Sequence, residues 1–268
     1  MNNSDVQSCF FPPTPPANYT PFYIPEPTSS IIVRLFLASV ILIMGLVGNL
    51  VVIRAIRRVP GRKPLVYVFV QNVAVSELVH VLISPSTLIY EVNDDWIMGR
   101  ILCKILNPTI MLMVTNITIT LAAIAVYRFM RLARPAITQT RLSSMQTKLL
   151  ITSFWCVGLA ISIPSMVVRE TVLYYDGKTF CRECWNPPTR LRPYRLATEI
   201  IIFVVPFCVM VVSYALVGIK LGKHLAISLR QNPDQVWTFL FYFWKILLLK
   251  IKKKSFIRAP TVISNVLS

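Results

Sequence analysis

The chain has 268 residues, 55% of them hydrophobic, with a mean hydropathy of +0.62 and a formal net charge of +17. So much apolar side chain excludes an ordinary soluble domain and points to a protein of several membrane spans. A charge this positive also raises nucleic-acid binding. The basic residues, however, stand in short clusters between apolar runs, as the positive-inside rule distributes them, and no nucleic-acid partner is expected.

Residues 1–30 hold no Lys or Arg and seven of the nineteen prolines, and they read as a disordered tail without a leader pattern. Asn2-Asn3-Ser4 and Asn18-Tyr19-Thr20 are glycosylation sequons, which matter if this end is extracellular. Ile31 to Ile53 reads as the first span, with Arg34 snorkelling at its outer end. Arg54, Arg57, Arg58, Arg62 and Lys63 follow with no acid among them, which places that loop in the cytoplasm and the amino terminus outside. Leu65 to Tyr90 is a second span, expected to kink at Pro85. Its Glu77 is an ionisable group at mid-membrane depth and therefore functional by default.

Cys103 to Pro135 organises the chain. From Lys104 to Tyr127 there is no further charge, room enough for a third span, and Tyr127-Arg128-Phe129 with Arg131, Arg134 and Pro135 closes it. The cysteine end suits an oxidising exterior and the arginine end the cytoplasm. Arg131, Arg134, Arg141 and Lys148 make a second acid-free inner segment. Leu149 to Val168 reads as the fourth span, residues 169–199 as a long outer loop of mixed charge, and Thr198 to Leu221 as the fifth span, with Lys220, Lys223, His224 and Arg230 behind it. Cys156 and Cys208 lie inside apolar runs and read as reduced, packed residues, whereas Cys9, Cys103, Cys181 and Cys184 are placed for bridges.

These features resemble the rhodopsin-like G-protein-coupled receptors. Gly48-Asn49-Leu50-Val51-Val52 is similar to that family's first-helix Gly-Asn-x-x-Val, and Asn72 to Leu78 to its second-helix Asn-Leu-Ala-x-x-Asp-Leu, with Glu77 in place of Asp. Cys103, Arg128 and Pro135 fall at the family's third-helix separations. Trp155 with Pro164 and Pro206 with Tyr214 resemble its fourth- and fifth-helix pairs. The implied fold is all-α, a multi-span transmembrane bundle in which five of the seven receptor helices are recognisable over residues 31–235.

The resemblance carries site expectations with it. Asn49 would hydrogen-bond between helices, and Glu77 is the family's sodium-binding carboxylate, although Glu is longer than Asp and Ile117 stands where Ser is usual. Ile110, Met111 and Val114 would wall the ligand pocket, and Ile110, where amine receptors carry Asp, argues against a biogenic amine. Arg128 and Tyr214 would meet a heterotrimeric G protein, and Tyr127 in place of the motif's acid removes a resting ion pair and would raise basal activity. A Cys103–Cys181 disulfide is implied, with Cys9–Cys184 as a second bridge. The rival reading of Cys181 and Cys184 as a zinc knuckle needs four ligands, and neither His80 nor His224 is placed to complete it. The Cys-x-Glu-x-Trp pattern of Cys181, Glu183 and Trp185 resembles receptors for neuropeptide Y, neuropeptide FF and orexin and implies an extracellular peptide ligand.

After Gln235 no sixth- or seventh-helix motif follows. Val236 to Ile251 would span about 24 Å, short of a roughly 30 Å core, and Lys245 and Lys250 interrupt it. Residues 236–268 therefore read as an interfacial aromatic-basic helix, or as an unselected tail from alternative splicing or an imperfect gene model. On this reading the receptor is truncated after its fifth helix, and these 268 residues alone are not expected to activate a G protein. The alternative function is a non-signalling isoform that associates with full-length receptors. A transporter would show repeats or more mid-membrane charge than Glu77, and no catalytic constellation, cofactor or metal site is expected.

Overall fold

The computed structural model describes residues 26–134, 143–174 and 177–231. The calls on Asn2, Cys9, Asn18, Pro135 and residues 236–268 lie outside them. The chain divides into two compact units, Met1–Tyr214 and Ala215–Ser268, and the packing described here is that of the first.

The elements run α1 (Thr28–Arg57), α2 (Leu65–Asn93), α3 (Gly99–Ala133), α4 (Ser144–Val168), β1 (Arg169–Leu173), β2 (Thr179–Glu183), a 3-10 turn (Pro188–Arg190), α5 (Leu191–Glu199), a π-helical turn (Ile200–Val204) and α6 (Val205–Gln231). Five helical stretches among the described residues are long and apolar enough to cross a membrane: α1, α2, α3, α4 and the run Pro188–His224. The fold is thus the expected transmembrane helical bundle. The helices outrun the predicted spans, because hydropathy marks the hydrocarbon thickness while the backbone stays helical into the headgroup region.

Two differences concern residues 169–199. Rather than loop throughout, β1 and β2 form an antiparallel hairpin in which Thr171 faces Cys181 and Arg169 faces Glu183. Gly177, at φ 81, sits in the turn, where a side chain would be strained. Helix then resumes at Pro188, ten residues before the predicted Thr198. Charged residues such as Arg192 and Arg195 masked that start, since they ride on the part of the helix above the membrane.

A line of buried polar groups holds α2, α3 and α4 together. Asn72 Nδ2 donates to Asn116 Oδ1 at 3.2 Å and to Thr120 Oγ1 at 2.9 Å, Asn116 Nδ2 donates to Ser76 Oγ at 2.6 Å, and Trp155 Nε1 donates to Asn72 Oδ1 at 3.0 Å. Ser76, Asn116 and Thr120 have no solvent-exposed surface. In hydrocarbon an unpaired amide costs several kcal/mol, so each of these groups has to find a partner on its own or a neighbouring helix. α4 approaches α3 closely through small residues, the buried Gly158, Ser162 and Ser165. A Cβ on Gly158 would come within 2.7 Å of Leu112 Cδ1. Pro85, Pro108 and Pro164 all lie inside continuous helices. Around Pro85 the hydroxyls of Ser84, Ser86 and Thr87 bond to nearby carbonyls of α2.

Asn116→Ala removes one partner each from Asn72 and Ser76. It should destabilise the detergent-solubilised protein by about 1 kcal/mol. Ser153→Ala, which deletes only an exposed hydroxyl bonded to Leu150 O of its own helix, should leave the unfolding midpoint unchanged. Thermal unfolding followed by circular dichroism checks both.

Candidate functional site

At the hairpin end of the bundle, the Cys103–Cys181 disulfide joins β2 to the start of α3 across 78 residues of sequence. Both cysteines are buried with Trp96, against Tyr90, Met98 and Leu106. Cys184 is also disulfide-bonded, and Cys9, its predicted partner, lies outside the described residues. Cys156 and Cys208 are free, as expected, but lie exposed on the helix surfaces rather than packed inside. Apolar sequence context does not separate a core-facing from a lipid-facing position, since both are apolar.

Polar contacts fasten the hairpin from several sides. Asp95 accepts from the Thr179 backbone N–H at 2.7 Å, Trp96 N–H donates to Thr179 O at 2.7 Å, and Lys178 pairs with Asp94 at 3.1 Å. Arg100 and Lys104 of α3 both reach Glu170, at 2.9 and 2.6 Å.

The densest knot centres on Glu183, whose side chain is only 8% exposed. One carboxylate oxygen accepts from Ser165 Oγ at 2.8 Å and Arg169 Nη2 at 3.1 Å, and the other faces Trp185 Nε1 and Arg195 Nε, each at 3.4 Å. Trp185 packs on Tyr194 of α5, whose hydroxyl donates to Ile161 O of α4 at 2.7 Å. Burial pushes the Glu183 carboxyl up, but the Ser165 hydroxyl and the Arg169 and Arg195 guanidiniums outweigh it and leave it below the usual carboxylate range. Burial lowers the Arg169 guanidinium, with Glu183 opposing. One carboxylate thus ties the end of α4, the hairpin and α5 together.

The predicted pocket residues Ile110, Met111 and Val114 are half-buried along α3. The Tyr194 hydroxyl stands 3.9 Å from Met111 Sδ, which brings the Glu183 knot to the edge of that wall. The sequence reading missed Arg169, Ser165 and Tyr194: the hairpin register sets Arg169 opposite Glu183, Ser165 reaches it from α4, and Tyr194 packs on the neighbouring Trp185.

Of the intramembrane predictions, Asn49 is half-buried and donates to Gly45 O of its own helix at 2.8 Å, with no inter-helix bond among the described residues. A side-chain amide without a neighbour's group to meet satisfies itself one turn back. Glu77 is about one-third exposed, with His80 Nδ1 one turn on at 4.0 Å. The inter-helix polar role belongs instead to Asn72, Ser76, Asn116, Thr120 and Trp155. Their i, i+4 pairing (Asn72 with Ser76, Asn116 with Thr120) was the available signal. Towards the end away from the hairpin, Arg128 and Tyr214 are exposed, and among the described residues neither has a hydrogen-bond or ion-pair partner.

The family model described as 7 transmembrane receptor (rhodopsin family) matches residues 48–249, so the chain belongs to that family of receptors, which are not enzymes. The match runs past Gln235, where the recognisable motifs stop. Among its relatives are the type-1 angiotensin II receptor A of Xenopus laevis, 26% identical over 73% of this chain and 55% of that protein, and the QRFP-like peptide receptor of Branchiostoma floridae, 24% identical over 81% and 58%. The neuropeptide Y receptor type 2 of Cavia porcellus is 28% identical over 69% of this chain and 50% of its own length. The chain spans about half the length of the curated relatives it matches. It is a multi-pass membrane protein.

Two tests follow from the Glu183 knot. Glu183→Gln strands the Arg169 charge, only 17% exposed, and should destabilise the hairpin by about 3–5 kcal/mol. Arg195→Gln, at a side chain 60% exposed, should cost at most about 1 kcal/mol. Hydrogen exchange of residues 169–183 separates the two. A carboxyl with a depressed folded pKa stabilises above its unfolded value and loses that contribution as pH falls through the folded one. Hairpin protection should therefore hold near neutrality and weaken in acid below the ordinary glutamate value of 4.5.

Proposed function

We propose that the chain is the ligand-binding part of a plasma-membrane receptor for an extracellular peptide that, in its full-length form, signals to a heterotrimeric G protein. The observation that carries this is the similarity to peptide receptors, two of them bearing peptide or neuropeptide in their names, over most of the chain. The tethered hairpin supports it, since a lid fixed at several points gives an extended ligand a preformed edge to bind. Ile110, Met111 and Val114 would line the inner side of that site, with Tyr194 beside Met111. Arg128, exposed at the end of α3, would reach backbone carbonyls of the G protein, and Tyr214 would lie nearby in the coupled state.

The orientation belongs to the same reading. The amino terminus, with Asn2 and Asn18 glycosylated, would lie outside and the Arg54–Lys63 segment inside, because both acid-free basic clusters then fall in the cytoplasm. The comparisons do not support the alternative in which the chain acts solely by joining full-length receptors.

Membranes from cells expressing the chain should bind one member of a labelled neuropeptide panel saturably, and Met111→Trp should abolish that binding by filling the wall. No saturable binding to correctly disulfide-bonded protein would contradict the peptide reading. An amino-terminal tag should be reached by antibody on intact cells. Labelling only after permeabilisation would reverse the orientation.

A further inference from the structure

Glu170 and Arg182 stand opposite each other in the hairpin register, a cross-strand pair whose charges would ordinarily meet. They do not pair. Glu170 accepts instead from Arg100 Nε at 2.9 Å and from Lys104 Nζ at 2.6 Å, both on α3. The other described acids against the hairpin are also engaged. Glu183 is held by Ser165, Arg169 and Arg195, Asp94 by Lys178, and Asp95 by the Thr179 N–H. Arg182 is exposed and has no carboxylate partner among the described residues.

An unpaired surface arginine is ordinarily a solvated side chain free to change rotamer. Arg182 is held in place. Its Cζ stands 5.1 Å from the centre of the Tyr174 ring and 5.6 Å from that of Phe180, and the two rings meet edge to face at 5.0 Å. Its Nη1 also donates to the Tyr174 hydroxyl. Strand alternation sets Arg182 on the other face of β2 from Cys181 and Glu183, the two residues that tie the strand to α3 and α4. A guanidinium fork fixed in advance loses little freedom on binding, and a carboxylate matches it with two parallel hydrogen bonds.

We propose that Arg182, propped by Tyr174 and Phe180, is a receiving site for a carboxylate of the peptide ligand, and that the hairpin thereby selects an acidic peptide. Assigning the carboxylate to a ligand rests on the peptide reading above; the affinity of the site for carboxylate does not.

The full chain in phosphatidylcholine nanodiscs is photolysed with an acetylated hexaglutamate amide carrying a diazirine, and mass spectrometry locates the adducts. They should include residues 169–183, where the matching hexaglutamine amide should label about fivefold less. R182Q should lower the hexaglutamate adducts on the hairpin by about fivefold. Adducts on the basic Arg54–Lys63 segment should stay constant and serve as an internal standard. If R182Q does not form the Cys103–Cys181 bridge, the two probes on the unaltered chain decide. Hexaglutamine with a free carboxyl terminus separates the sources: hairpin adducts from it assign a terminal carboxylate, and their absence a side-chain one. Equal hairpin labelling by the two amides, or an undiminished yield in R182Q, would overturn the proposal. Failure of the neuropeptide panel with hairpin labelling intact would remove the peptide reading and leave the carboxylate site standing.

Discussion

The bilayer supplies no hydrogen bonds, and the packing of the described helices follows from that constraint. Backbone groups are satisfied by helix formation, and the few polar side chains at depth must be satisfied by one another. Asn72 is where they meet, in bonds to Asn116, Thr120 and Trp155 that reach two neighbouring helices. Small residues on α4 let α3 approach closely enough for this to happen, and a methyl group at Gly158 would already collide with Leu112. Apolar contact alone would not set the register, because lipid tails compete on equal terms with leucine.

Above the membrane the constraint reverses. Water is present, and ordering an exposed hairpin has to be offset by cross-links and charge. The disulfide fixes one point of β2 on α3, and Glu183 fixes the next turn onto α4 and α5. Glu183 is buried with its counter-charge, so the pair holds position only while both partners are present. Tyr194, packed on Trp185, stands 3.9 Å from Met111 Sδ and so brings this knot to the edge of the proposed pocket wall.

The spans and their order were legible in the sequence because an uncharged stretch of about 20 residues has few other uses. Cys103 and Cys181 were legible through the family pattern. The hairpin was not, since its five-residue strands mix charged, polar and apolar groups without the alternation that marks a strand. Asn49 donates to its own backbone, while Trp155, matched to the family's fourth-helix Trp without a stated partner, holds a hydrogen bond to Asn72. Polarity in a membrane helix announces that a bond must exist; which neighbour accepts it depends on helix rotation, and sequence alone does not give that.

The most direct measurement is mass-spectrometric cysteine mapping on non-reduced protein purified from membranes, with alkylation before and after reduction. Cys103 and Cys181 should appear as one linked peptide pair, inert to alkylation until reduced, while Cys156 and Cys208 alkylate without reductant once the protein is unfolded. That result places the hairpin over α3 in an oxidising compartment. Free alkylation of Cys103 without reductant would contradict both the tethered hairpin and the side of the membrane on which it lies.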